Sequence, residues 1–158
     1  MRDIKLVALD VDGTLVRRDL SLSPAVIRAV ESLRDAGVAV AIVTGRTMQE
    51  LVLLRKELPW IRYFVLSNGA TGRDTETDTV FYQNHLPLAI AREVERETRR
   101  YRVMTEVYAD CVSYVNRDCW AHTERYKAAF LYHPSLASGR VPVDSVGDLL
   151  EARSSDIE

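Results

Sequence analysis

The sequence predicts an α/β protein built on a parallel sheet, and two observations carry that expectation. Short, nearly continuous apolar runs alternate with amphipathic helical patterns over the first seventy residues, the rhythm of strand, crossover helix and parallel strand. Each run then ends in residues able to do chemistry: Leu6 to Leu9 meets Asp10-Val11-Asp12-Gly13-Thr14, Val38 to Val43 meets Thr44-Gly45-Arg46, and Tyr63 to Leu66 meets Ser67-Asn68-Gly69. Parallel sheets bind ligands beyond the carboxyl ends of their strands, so Asp10, Thr44 and Asn68 are expected to converge on one crevice.

Each element follows from local signals. Leu6 to Leu9 lacks alternation, as expected of a strand covered on both faces. Ser23 and Pro24 supply an N-cap and a first-turn proline, Val26, Ile27, Val30 and Leu33 recur at helical spacing, and Gly37 supplies a stop, which predicts a helix over 24–36. Residues 38–43 form the second strand. Thr47-Met48-Gln49-Glu50 fits a capping box, with Leu51, Leu54 and Leu58 on one helical face and Pro59 ending it. Residues 63–66 form the third strand.

After Ala70 the pattern changes. Residues 72–78 are polar and turn-rich, and Val80 to Tyr82 reads as a short strand. A helix is expected over 86–101, with Arg92, Glu93, Glu95, Arg96, Glu97, Arg99 and Arg100 on a solvated outer face of mixed sign. Residues 103–108 and 111–115 flank Ala109-Asp110 as an antiparallel hairpin, 120–142 reads as helix and loop, and 144–152 as a last short helix. The expected organisation is therefore a core portion over 1–70, three strands with their helices, and a mixed α/β portion over 71–158.

Composition narrows the function classes. With 158 residues, 47% hydrophobic and 28% charged, the chain is of ordinary globular make-up. A net charge of -2 gives no basic field for nucleic acid, and no apolar run approaches the roughly 20 residues of a membrane span. Met1 to Lys5 runs straight into the first strand without a secretory leader, which points to the cytoplasm. Cys111 and Cys119 have no metal-ligand spacing and read as free thiols, and His85, His122 and His133 likewise suit no metal site. Trp60 and Trp120 read as packing residues.

Asp10 and Asp12 carry the sharpest chemistry. Carboxylates two residues apart repel unless a cation or a shared proton relieves them, and Mg²⁺ held by one or two carboxylates and a substrate phosphate is the usual solution. Gly13 lets the backbone approach such a ligand. The plainer reading stays open on residue types alone: Asp-Val-Asp-Gly, Thr44-Gly45 and Asn68-Gly69 are also ordinary strand-exit turns.

Asp10-Val11-Asp12-Gly13-Thr14-Leu15 resembles the first motif of the haloacid dehalogenase (HAD) superfamily, and Val40 to Arg46 resembles its second, a strand ending in a phosphate-binding Thr. Leu66-Ser67-Asn68-Gly69-Ala70 resembles the third-strand ending of the Cof-type sugar-phosphatase branch. The resemblance implies a partial Rossmann-like core over 1–70 and an α/β cap over 71–158 that closes over the site. It also implies a Mg²⁺-dependent phosphatase of small phosphorylated metabolites, sugar phosphates among them. Asp10 would be the nucleophile and Asp12 the general acid and base; both would serve the metal. Gly13, Thr44, Gly45, Arg46 and Asn68 would hold phosphate or substrate.

The branch continues after its cap with a Lys and a GDxxxD-like acidic motif. Gly147-Asp148-Leu149-Leu150-Glu151 lacks the second aspartate, and both it and Lys127 fall in the cap-like portion. The resemblance therefore implies a chain truncated after its cap and weak or absent activity of the chain alone. It further implies an unpaired first strand that a homodimer, or a separate chain supplying the missing half, would cover. Two other readings are a non-catalytic binding remnant and a receiver-like phosphoacceptor domain; against the latter, the third strand ends in Asn68 and not in an aspartate.

Overall fold

The computed structural model describes residues 4–17, 19–126 and 139–158; Lys127 and His133 lie outside them. The chain folds as two compact units, one of residues 1–46 and 51–83, the other of residues 47–50 and 84–158. The architecture is α/β, as the strand and helix rhythm predicts.

The first unit is a five-stranded sheet in the order β1-β2-β3-β4-β5. Strands β1 (Leu6–Leu9), β2 (Ala39–Val43) and β3 (Tyr63–Leu66) run parallel, with Leu9 beside Ile42 and Val43 beside Val65. Helix α1 (Pro24–Asp35) connects the first two and begins as expected: the Val26 amide donates to Ser23 Oγ at 3.2 Å, with Pro24 in the first turn. The α1 helix stops at Gly37, whose φ of +72° is a left-handed conformation that favours glycine.

The second helical segment departs from its expected form. Met48–Leu51 is a 3₁₀ turn, and only Val52–Glu57 is α-helical, α2. The capping box is half made: Thr47 donates its amide to Glu50 Oε2 at 2.9 Å, but its hydroxyl also donates to that carboxylate, at 3.1 Å, and does not receive the Glu50 amide. That amide goes to the Thr47 carbonyl at 3.2 Å, a bond that tightens the turn to 3₁₀.

Residues 71–83 extend the first sheet. β4 (Thr71–Asp74) and β5 (Thr79–Gln83) form an antiparallel hairpin on β3, so the change of rhythm at residue 71 marks the switch from parallel to antiparallel pairing. β4 hides in the sequence because it is polar. Its Asp74 is buried against the Arg62 guanidinium, Arg62 Nε donating at 2.8 Å, and Gly72 is covered by the Phe81 ring, which leaves no room for a Cβ.

The second unit holds a three-stranded sheet, β6-β7-β8. β6 (Glu106–Ala109) and β7 (Val112–Asn116) form the expected hairpin, but its turn is Asp110-Cys111, both at positive φ, one residue later than the sequence pattern suggests. β8 (Arg140–Val143), parallel to β7, falls in a stretch whose sequence reads as helix and loop. α3 (Leu88–Thr98) packs with α5 (Val146–Ala152), and α4 (Arg117–Ala121) follows β7. The core of this unit is Ala91, Val107, Ala109, Val146, Leu150 and Ile157.

The charged face of α3 is not wholly solvated. Glu95 is buried and accepts from Arg99 Nε at 2.6 Å, and Arg92 donates to the carbonyls of Leu150, Glu151 and Arg153 at the end of α5. Cationic donors at a helix C-terminus satisfy its unpaired carbonyls. Within the same unit Arg140 is buried between Glu50, 3.0 Å away, and Glu106, 3.1 Å away.

Candidate functional site at the strand ends

The parallel register sets the carboxyl ends of β1, β2 and β3 side by side. The turn after β1 winds around one carbonyl: the amides of Thr14, Leu15 and Val16 all donate to Val11 O, at 3.3, 3.0 and 3.0 Å. Val11 is buried at 1% exposure, while Asp10 and Asp12 on either side of it are exposed. The buried Val11 thus anchors the turn between two exposed carboxylates.

The two carboxylates have different partners. Asp12 is held in a two-point pair by Arg46, Nε to Oδ2 at 2.9 Å and Nη2 to Oδ1 at 2.6 Å. The planar guanidinium matches a carboxylate in this geometry. Arg46 is buried, so it is no stray surface charge. Asp10 accepts from the Thr14 hydroxyl at 3.1 Å.

The β2 and β3 ends interlock through backbone. Thr44 donates its amide to Val65 O at 2.9 Å and accepts the Arg46 amide on Oγ1 at 3.2 Å. The Ser67 amide donates to Arg46 O at 3.1 Å and the Asn68 amide to Thr44 O at 3.3 Å. Ser67, Asn68 and Gly69 are all left-handed, with φ of 51°, 56° and 96°. Two consecutive non-glycine residues in that region cost about 1–3 kcal/mol each, strain that concentrates at sites where geometry matters. Gly45 is required to be small: a Cβ there would lie 2.7 Å from Asn68 Oδ1.

The structure thus brings Asp12 and Arg46 into contact, and sets Thr44, Gly45 and Asn68 against one another. The Gly13 amide donates to Val16 O at 3.2 Å, and its φ of +79° belongs to the turn. Sequence reasoning misses Thr14 and Ser67 as members of the site. Thr14 is legible as a hydroxyl four residues beyond Asp10; nothing in the sequence marks the Ser67 backbone contact. Among the described residues no group of three or more His, Cys, Asp or Glu side chains is arranged to hold a metal ion. The exposed Asp10 carboxylate is a hard-oxygen ligand of the kind Mg²⁺ takes singly or in pairs, with substrate phosphate completing the shell.

Residues 7–143 match the haloacid dehalogenase-like hydrolase family. The chain belongs to that family. A 5-amino-6-(5-phospho-D-ribitylamino)uracil phosphatase of Bacillus subtilis is 35% identical over 78 residues, 49% of this chain and 31% of that protein. A second Bacillus subtilis protein of the same name is 27% identical over 156 residues, 96% of this chain and 53% of the relative. A haloacid dehalogenase-like hydrolase from B. subtilis superposes with a TM-score of 0.76 at 22% identity, over 98% of this chain and 59% of that one. The chain therefore spans from a third to somewhat over half of these proteins. Among the described residues no helix is long and apolar enough to cross a membrane.

Proposed function

We propose that this chain carries the nucleophile portion of a Mg²⁺-dependent phosphatase that acts on small phosphomonoesters through an aspartyl phosphate on Asp10. The observation that carries the reading is the asymmetry of the two carboxylates: Arg46 claims both oxygens of Asp12, while Asp10 is exposed and accepts from Thr14. Two carboxylates in different surroundings can take two roles.

In this proposal an Asp10 oxygen attacks phosphorus and the bond from phosphorus to the leaving oxygen breaks, Asp12 giving that oxygen its proton. Asp12 then takes a proton from water, whose oxygen attacks the phosphoryl group, releases inorganic phosphate and restores the Asp10 carboxylate. Arg46 must free one Asp12 oxygen for the proton to reside there. Thr44 Oγ1 already accepts from the Arg46 amide, so its own O–H is left to donate to a phosphate oxygen. Mg²⁺, bound to Asp10 and the phosphate, would supply neutralisation of developing charge.

The substrate class is carried over from the two Bacillus subtilis relatives, whose name specifies a phosphate on a small polyol chain. The Asp10–Thr14 and Thr44–Asn68 arrangements suit any compact phosphomonoester, sugar phosphates included, with residues 84–158 of the second unit acting as the cap and 71–83 belonging to the first sheet. A second reading is a unit that binds a phosphorylated ligand without turnover, in which the Arg46 pair keeps Asp12 from proton transfer. Mg²⁺-dependent hydrolysis of p-nitrophenyl phosphate by the folded chain separates the two. The proposal expects at most weak turnover from this chain alone, lost with chelator and in Asp10→Asn; turnover surviving Asp10→Asn refutes it, and none from the folded chain favours the second reading.

A further inference from the structure

The amino ends of β2 and β3, opposite the ends that carry Asp10 and Thr44, enclose an open cavity of about 270 Å³. Along a five-residue strand the two ends lie roughly 15 Å apart. Its walls include Ala39, Val40, Trp60, Tyr63, Arg34 and Arg62, all of the first unit. Two aromatic rings, an apolar strand and two cations make this a different chemical environment from the carboxylate-bearing site.

The two arginines are not equivalent. Arg62 is committed: its Nε and Nη2 donate to Asp74, its Nη1 to Glu76, and its guanidinium lies 5.0 Å from the centroid of Tyr63. Arg34 lies 5.2 Å from the centroid of Trp60, and its Nε donates at 3.0 Å to Asp35, an exposed pair of sequence neighbours. Such a pair contributes little and is readily exchanged for another anion. Trp60 supplies a reporter, because its Nε1 is buried with no hydrogen-bond partner among the described residues, so its signal follows the surroundings of the ring.

We infer that this cavity is a second ligand site, one for a flat aromatic carboxylate of one or two rings. The ring would lie against Trp60 and Tyr63, and the carboxylate would take the donors of Arg34. The volume is below the usual 300–1,000 Å³ of drug-sized pockets, which sets the ligand at one or two fused rings. Asp35, Asp74 and Glu76 nearby make the surroundings unsuited to a polyanion such as a nucleoside triphosphate.

The test uses naphthalene-2-carboxylate as the probe and the indole N–H resonances of the ¹⁵N-labelled chain as the readout, since there are two tryptophans. Trp60→Phe assigns the peaks. The expected result is a saturable shift of the Trp60 signal with Trp120 unmoved, binding weakened about tenfold in Arg34→Met, and unchanged binding in Asp10→Asn. Because Asp10→Asn disables the proposed phosphatase site and spares this one, the two proposals fail separately. No saturable shift, equal movement of both indoles, or equally tight binding of the methyl ester would overturn the inference.

Discussion

β1 and β2 are neighbouring parallel strands of nearly the same composition, Leu-Val-Ala-Leu against Ala-Val-Ala-Ile-Val, yet they have opposite fates. β2 is paired on both sides and buries Val40, Ala41 and Ile42; β1 pairs with β2 alone among the described residues, and Leu6 is 52% exposed. An apolar run therefore specifies a strand, while its neighbours decide whether that strand is core or edge. The site inherits the contrast: Thr44 at the end of β2 is buried, and Asp10 and Asp12 after β1 are exposed. A rigid, buried hydroxyl beside accessible carboxylates is a useful division of labour for the proposed phosphoryl transfer.

The largest effect should come from truncating the two strands in turn. Ile42→Ala removes a fully buried side chain and should cost about 2–5 kcal/mol in denaturant unfolding, whereas Leu6→Ala should stay within about 0.5 kcal/mol. Equal costs would mean that β1 is covered in solution. Amide hydrogen exchange should sharpen the contrast, with β1 amides exchanging several-fold faster than those of β2. A smaller effect, about 1 kcal/mol, is expected for Gly45→Ala at the end of β2, where the new methyl must displace the exposed Asn68 carboxamide.

The weakest of these effects lies at the other end of the same sheet. The Arg62 guanidinium beside Asp74 holds its carboxyl down to about 2, from an ordinary 3.8. A depressed carboxyl contributes stability that is present above about pH 4 and lost as pH falls toward 2. Asp74→Asn should remove that part of the acid dependence in a pH series of thermal melts; an unchanged acid limb would exclude the pair as a contributor.

Much of the first unit is legible in the sequence. Ser23, Pro24 and Gly37 bound α1 because caps are local chemistry, and Asp10, Thr44 and Asn68 fall at adjacent strand ends because parallel register places them there. What escapes is decided by distant partners. β4 reads as a polar turn because its Asp74 is made buriable by Arg62, and β8 reads as loop because its Arg140 is satisfied by Glu50 and Glu106. Glu95 and Arg92 read as solvated for the same reason. The Arg46–Asp12 pair joins residues 34 positions apart, and no periodicity announces it.

Asp10 is the group on which the proposed chemistry stands, as the acceptor of the phosphoryl. The most direct test is to mix the folded chain with Mg²⁺ and a small phosphomonoester, quench in acid, and locate covalent phosphate by peptide mass spectrometry. The prediction is phosphate on the peptide that contains Asp10, labile to hydroxylamine and absent from Asp10→Asn. Phosphate on another residue, or none on a chain that circular dichroism shows to be folded, would contradict it.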